Sequence, residues 1–181
     1  MKLIVGIGGM TNGGKTTLTN SLLRALPNCC VIHQDDFFKP QDQIAVGEDG
    51  FKQWDVLESL DMEAMLDTVQ AWLSSPQKFA RAHGVSVQPE ASDTHILLLE
   101  GFLLYSYKQE MEANGVEVVY LDGMKSREEL FREVLEDIQN SLLNRSQESA
   151  PSPARPARTQ GPGRGCGHRT ARPAASQQDS M

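Results

Sequence analysis

The residues best equipped for chemistry lie close to the amino terminus. Gly9-Met10-Thr11-Asn12-Gly13-Gly14-Lys15-Thr16, followed by Thr17, satisfies the spacing G-x-x-x-x-G-K-[ST] in full. Each residue type has a physical task. Glycines let backbone N–H groups turn inward and approach phosphate oxygens closely. A helix opening at Lys15 would add its positive dipole end. Lys15 would neutralise β- and γ-phosphate charge, and the Thr16 hydroxyl would ligate Mg²⁺. The pattern implies nucleotide binding and leaves the reaction open.

Carboxylates supply the next candidates. Asp35 and Asp36 follow an apolar segment, where one could accept a proton from a substrate hydroxyl and help hold Mg²⁺. An exposed loop pair or a helix cap would look the same in sequence. Glu100 closes the run Leu97-Leu98-Leu99, as an acid closes the hydrophobic strand of a Walker B pattern, though Asp is usual there. Its alternative is a turn-capping carboxylate. Trp54-Asp55 pairs an aromatic face with an acid, which suits a nucleoside: the ring stacks on a base and the carboxylate accepts from ribose hydroxyls. Trp54 as ordinary core is the competing reading. His33 reads as strand-end packing, and Met62 and Met65 as core.

These residues need elements to hold them. Lys2–Ile7 is short, apolar and β-branched, like a buried parallel strand. Leu18, Leu22, Leu23 and Leu26 fall at helical spacing before Pro27-Asn28, and Cys29–His33 reads as a second strand. Asp61–Leu73 carries Met62, Met65, Leu66, Val69 and Leu73 on one helical face. Ser74–Thr94 suggests a polar surface excursion. His95–Leu99 is a third strand, Leu103–Asn114 a helix, Val116–Leu121 another strand, and Ser126–Leu143 a helix presenting Leu130, Val134, Ile138 and Leu142. Strands alternating with helices predict an α/β fold with a parallel sheet and flanking helices.

The charge is uneven. The formal net charge is −7 over 181 residues, yet residues 146–181 hold five Arg and only two acids, leaving about −10 on residues 1–145. That final stretch has five of the nine Pro and no Ile, Leu, Val, Phe, Trp or Tyr, so a disordered tail is expected. The domain is then residues 1–145. No apolar run approaches the ~18 residues of a membrane span. The acidic body argues against nucleic-acid binding. Three Cys, two of them adjacent, make a disulfide framework improbable and point to a reducing, cytoplasmic setting.

Taken together, the loop Gly9–Thr17, the segment His33-Gln34-Asp35-Asp36-Phe37-Phe38-Lys39-Pro40, the pair Trp54-Asp55, and Leu99-Glu100-Gly101-Phe102-Leu103-Leu104 resemble the nicotinamide riboside kinases, P-loop nucleoside kinases related to uridine kinase. The likeness resumes at Gln109 and runs through Val118–Gly123. It implies a P-loop fold with sheet order 2-3-1-4-5, ATP and Mg²⁺ as cofactors, and phosphorylation of the 5′-hydroxyl of nicotinamide riboside, with nicotinic acid riboside and pyrimidine nucleosides as further candidate substrates. It makes Asp35 the proton acceptor, and Thr16 and Asp35 the Mg²⁺ partners. It gives Asp35, Asp36, Phe37, Phe38, Trp54 and Asp55 to the riboside, and sets Lys125-Ser126-Arg127 near the adenine.

The chain departs from that family at one place. Only 14 residues, Phe102–Gly115, fill the interval where the family carries a further strand and an Arg-rich lid. A parallel crossover alone takes about a dozen residues. No Arg occurs between Arg81 and Arg127. An internal deletion at Lys108/Gln109, as alternative splicing would produce, accounts for this. It predicts either an open edge on the first strand or a last strand moved into the gap. Two other classes stay open: a catalytically inactive nucleotide-binding protein that meets a protein partner through its tail, and, with no guanine-recognition motif found, a GTPase-type switch.

Overall fold

A computed structural model describes residues 1–91, 93–104 and 117–148. Three parallel strands form its sheet: β1 (Lys2–Gly8), β2 (Cys29–His33) and β3 (His95–Gly101), in the order β1-β3-β2. Helix α1 (Lys15–Ala25) joins β1 to β2, α2 (Met62–Ser74) and α3 (Pro76–Ala82) precede β3, and α4 (Arg127–Glu148) closes the described chain. This matches the 2-3-1 portion of the expected sheet order.

Period-two alternation divides the strands between two cores. Leu3, Ile7, Cys29, Ile96 and Leu98 face Leu22 of α1, its C-cap Leu26 and Ile138 of α4. Cys30, Ile32 and Leu97 face Met65, Trp72, Phe79 and Ala80 of α2 and α3. The adjacent cysteines therefore point to opposite sides of the sheet, and both are free. Burial, reinforced by the neighbouring Cys30, pushes the Cys29 thiol up to about 12, so it is an inert packing group.

Several expectations need correction. Residues 117–122 form no strand. In the expected order the last strand pairs with the fourth, not with β1, and no fourth strand is found among the described residues. Nor do residues 117–122 pair with β1, which ends the sheet among the described residues. The expected helix over Leu103–Asn114 falls largely on residues outside those described, as does nearly all of the expected tail. The supposed polar excursion contains α3, started by Pro76 at its first turn, with Phe79 and Ala80 buried. The face of α2 also differs. Leu66 is 59% exposed, and Trp72 is fully buried instead, three residues beyond Val69 and seven beyond Met65.

Asn28 anchors the return to β3. It adopts a left-handed conformation (φ 49°) and is 3% exposed. Its side chain donates to the carbonyls of Ala91 and Thr94 at 2.6 and 3.1 Å and accepts from the Gln88 N–H at 2.7 Å.

Candidate active site

The strand ends bring the functional groups together. The phosphate loop leaves β1 and turns into α1 through Gly14, which has φ 83° and serves as the helix N-cap. A side chain at Gly14 would be strained in that conformation. At Gly13 the limit is space: a Cβ there would stand 3.0 Å from the Met10 carbonyl oxygen, which accepts the Gly13 N–H at 3.1 Å. No side chain caps α1, and its first turn carries no acid. Its leading N–H donors and dipole thus face the loop, as an anion site requires. Lys15 Nζ reaches back to the Met10 carbonyl at 2.7 Å. Gly9, Met10, Thr11, Asn12, Thr16 and Thr17 are exposed.

Glu100 is the centre of a second cluster. Register sets Ile7, Glu100 and His33 side by side across the three strands. The Glu100 side chain is nearly buried, and both of its oxygens are engaged. Thr16 Oγ1 donates to Oε1 at 2.7 Å, and His33 Nδ1 lies 2.6 Å from Oε2. This geometry ties Glu100 to the loop through Thr16, and His33 is bonded to Glu100 rather than only packed at the strand end.

Asp35 and Asp36 sit on a 3-10 turn (Gln34–Phe37) directly after β2, and both are exposed. Gln34 fixes this turn. It is fully buried, and its Oε1 accepts the Leu103 N–H at 3.0 Å, tying the turn to the chain leaving β3. The fit depends on Gly101: a Cβ there would stand 2.6 Å from the Gln34 Cβ and closer still to its Oε1. Gly101→Ala is therefore expected to cost about 1–3 kcal/mol and lower the Tm by about 3–10 °C. An unchanged melting curve would show that Gln34 gives way freely.

The aromatic residues form a ladder. Phe38 meets Trp54 edge-on at 5.6 Å and stacks on Phe102 at 5.8 Å. Trp54 remains 37% exposed, so it is a rim residue rather than core. Asp55 beside it is exposed, and Phe37 packs into the core behind the turn. Sequence reasoning gave no role to Gln34 or Phe102; a ring directly after Glu100-Gly101 was the available signal for Phe102.

Lys125, Ser126 and Arg127 are placed by α4. Ser126 and Glu129 form a capping box: the Ser126 N–H donates to Glu129 Oε2 at 2.9 Å and the Glu129 N–H to Ser126 Oγ at 3.2 Å. Hydrogen bonding from Ser126, its backbone N–H foremost, holds the Glu129 carboxyl below its usual range. Lys125 pairs with Glu133 at 2.6 Å, and that hydrogen bond raises the ammonium's pKa. At the far end of the helix, Arg145 donates to the Lys2 carbonyl at the start of β1. Arg127 lies about 27 Å along the helix from that anchor, at 1.5 Å per residue.

Among the described residues, no three His, Cys, Asp or Glu side chains gather to hold a metal alone. Mg²⁺ accompanying a nucleotide takes one or two protein oxygens, the rest coming from phosphates and water. The Thr16 hydroxyl and the exposed carboxylate of Asp35 are hard oxygen donors of that kind.

A phosphate loop opening α1, an acid ending β3 and carboxylates after β2 on a parallel sheet define a P-loop kinase. No family model matches the chain. It is 79% identical to nicotinamide riboside kinase 2 of Homo sapiens over 230 aligned positions, covering all of both chains. It is 63% identical to nicotinamide riboside kinase 2 of Mus musculus over 195 positions, 81% of this chain and all of the relative. Against nicotinamide riboside kinase 1 of Mus musculus, identity is 37% over 190 positions, 78% of this chain and 96% of the relative. The chain belongs to the nicotinamide riboside kinase family. A chain of 181 residues spread over 230 positions can reach at most 79% identity, the value found, so the first comparison contains 49 positions with no residue here. In the second, 81% of 181 is about 147 residues, leaving about 48 of 195 positions without one.

Proposed function

We propose that residues 1–145 form an ATP-dependent nicotinamide riboside kinase whose phosphoryl transfer is impaired by the loss of its lid. Family membership carries the substrate, and the shortage of 49 positions carries the impairment. The deficit falls best at Lys108/Gln109, where 14 residues stand for a strand and a lid, and alternative splicing is the simplest source of so clean a gap. The buried free thiols suit a cytoplasmic setting.

In this reading the loop N–H groups and Lys15 bind the β- and γ-phosphates of ATP. Thr16 and Asp35 would hold Mg²⁺, which when bound screens charge on the transferring phosphoryl group. Trp54, with Phe38 behind it, stacks on the nicotinamide ring, while Asp55 accepts from the ribose hydroxyls. Asp36 and Phe37 complete the riboside's surroundings. Asp35 takes the proton as the 5′-oxygen attacks the γ-phosphorus in line, and ADP leaves. Lys125, Ser126 and Arg127 lie beside the adenine.

The same deficit favours a second reading, a catalytically inactive nucleotide-binding form in which the stretch from 146 to 181 serves a protein partner. One experiment separates the two: phosphorylation of nicotinamide riboside, with ATP binding measured in parallel by calorimetry. Slow but measurable formation of nicotinamide mononucleotide supports the impaired kinase. ATP binding with no product supports the inactive form.

A further inference from the structure

The kinase reading gives His33 no task. His33 ends β2 level with Glu100, and its side chain is 34% exposed. Its Nδ1 stands 2.6 Å from Glu100 Oε2, while Glu100 Oε1 accepts from Thr16 at 2.7 Å. We propose that His33 is a positioning residue that acts through Glu100 to aim the Thr16 hydroxyl at the cation accompanying the nucleotide. The inference rests on the reading of the loop as a Mg²⁺-nucleotide site.

Proton placement decides how Thr16 meets a cation. A threonine hydroxyl has one proton and two lone pairs. If its proton is free to point anywhere, it competes with a cation for the space in front of the oxygen. Donation to Glu100 Oε1 sends the proton toward the sheet and leaves lone pairs for a hard cation. That outcome needs a carboxylate of fixed tilt. The Glu100 backbone is held by ladders on both sides, through Ile7 and His33, but its side chain still has rotatable bonds. An ionised carboxylate only accepts, so the proton in the 2.6 Å contact belongs to Nδ1. His33 therefore occupies the second oxygen and leaves the first for Thr16. The chain His33–Glu100–Thr16 is the outer support of the kind that orients a metal ligand. Proximity in sequence did not reveal it, because the three residues come from β2, β3 and α1.

Two substitutions separate positioning from packing. His33→Phe keeps an aromatic ring, somewhat larger than imidazole, and removes the donor. His33→Asn places an amide nitrogen on Cγ, where Nδ1 was. ATP affinity is measured by calorimetry on the full chain, without metal and with Mg²⁺. His33→Phe is expected to weaken the Mg²⁺-dependent gain in affinity about tenfold while leaving metal-free ATP affinity unchanged, and His33→Asn to restore it within about twofold. His33→Ala replaces the Phe variant if the larger ring disturbs the strand end. An unaltered Mg²⁺ gain in the donor-free variant overturns the proposal. So does equal loss in His33→Asn, or loss of metal-free binding, which would mark a structural role. A wild-type chain that binds no ATP refutes the loop reading itself before any variant is made, and the inference falls with it.

Discussion

Replacing Lys15 with Ala is expected to weaken ATP binding by about 10- to 100-fold while leaving the folded state nearly as stable. A hydrogen bond to a charged group contributes roughly 1.5–3 kcal/mol, which is one to two decades in affinity. Lys15 in the structure gives its ammonium only a neutral partner, the Met10 carbonyl at 2.7 Å. No ion pair to Lys15 is formed among the described residues, so its charge is available to a phosphate without breaking a salt bridge. Loss of that single exposed contact to Met10 costs little in folding. Calorimetric titration of both proteins with ATP, beside their melting curves, checks the two halves. Equal affinities would remove Lys15 from the phosphate site, and a collapse in Tm would show that it holds the loop together instead.

That prediction was accessible from sequence because loop chemistry is local. Nine consecutive residues, Gly9–Thr17, specify both the turn and its ligand. The strands and α1 were legible for the same reason: Leu22 and Leu26 repeat at helical spacing, and Leu97 and Leu98 fill a strand buried on both faces. Non-local groups were not. Glu100 gave two equal readings until its register with Ile7 and His33 set Thr16 within 2.7 Å. Gln34 looked like one more polar residue, yet it is fully buried because Gly101 on β3 leaves it room. Trp72 escaped because an extended stripe through Leu66 fits the hydrophobic pattern as well as one through Trp72 does, and only the sheet decides between them. The strand expected at Val116–Leu121 failed for a related reason. Its apolar, β-prone composition is real, with Val119, Tyr120 and Leu121 50%, 70% and 37% exposed, but composition cannot supply a neighbouring strand.

Supplying that neighbour is expected to have the largest effect on turnover. Let the 49 positions present in the human relative and lacking here be inserted between Lys108 and Gln109. The rate of nicotinamide riboside phosphorylation should then rise about 10³-fold or more, the scale of an arginine contact to a transferring phosphoryl group. The physical reason is a deficit of positive charge where negative charge moves. Between Arg81 and Arg127 this chain has no Arg, and the Lys125 ammonium is already paired with Glu133. A closing lid also excludes water, which strengthens every remaining electrostatic contact in the site. The insertion should act on the sheet as well. Among the described residues β1 ends the sheet, with Ile4 40% exposed, and a strand laid beside β1 would offer residues 117–121 a ladder in turn. Slower amide exchange across 117–121 in the lengthened chain is the structural readout. In that chain Asp35→Ala should lower turnover about 10²- to 10⁴-fold with metal-free ATP affinity unchanged, as loss of a proton acceptor requires. A lengthened chain that gains protection at 117–121 but no turnover would locate the defect in this chain's own site residues. One that gains turnover without dependence on Asp35 would assign the proton to another group.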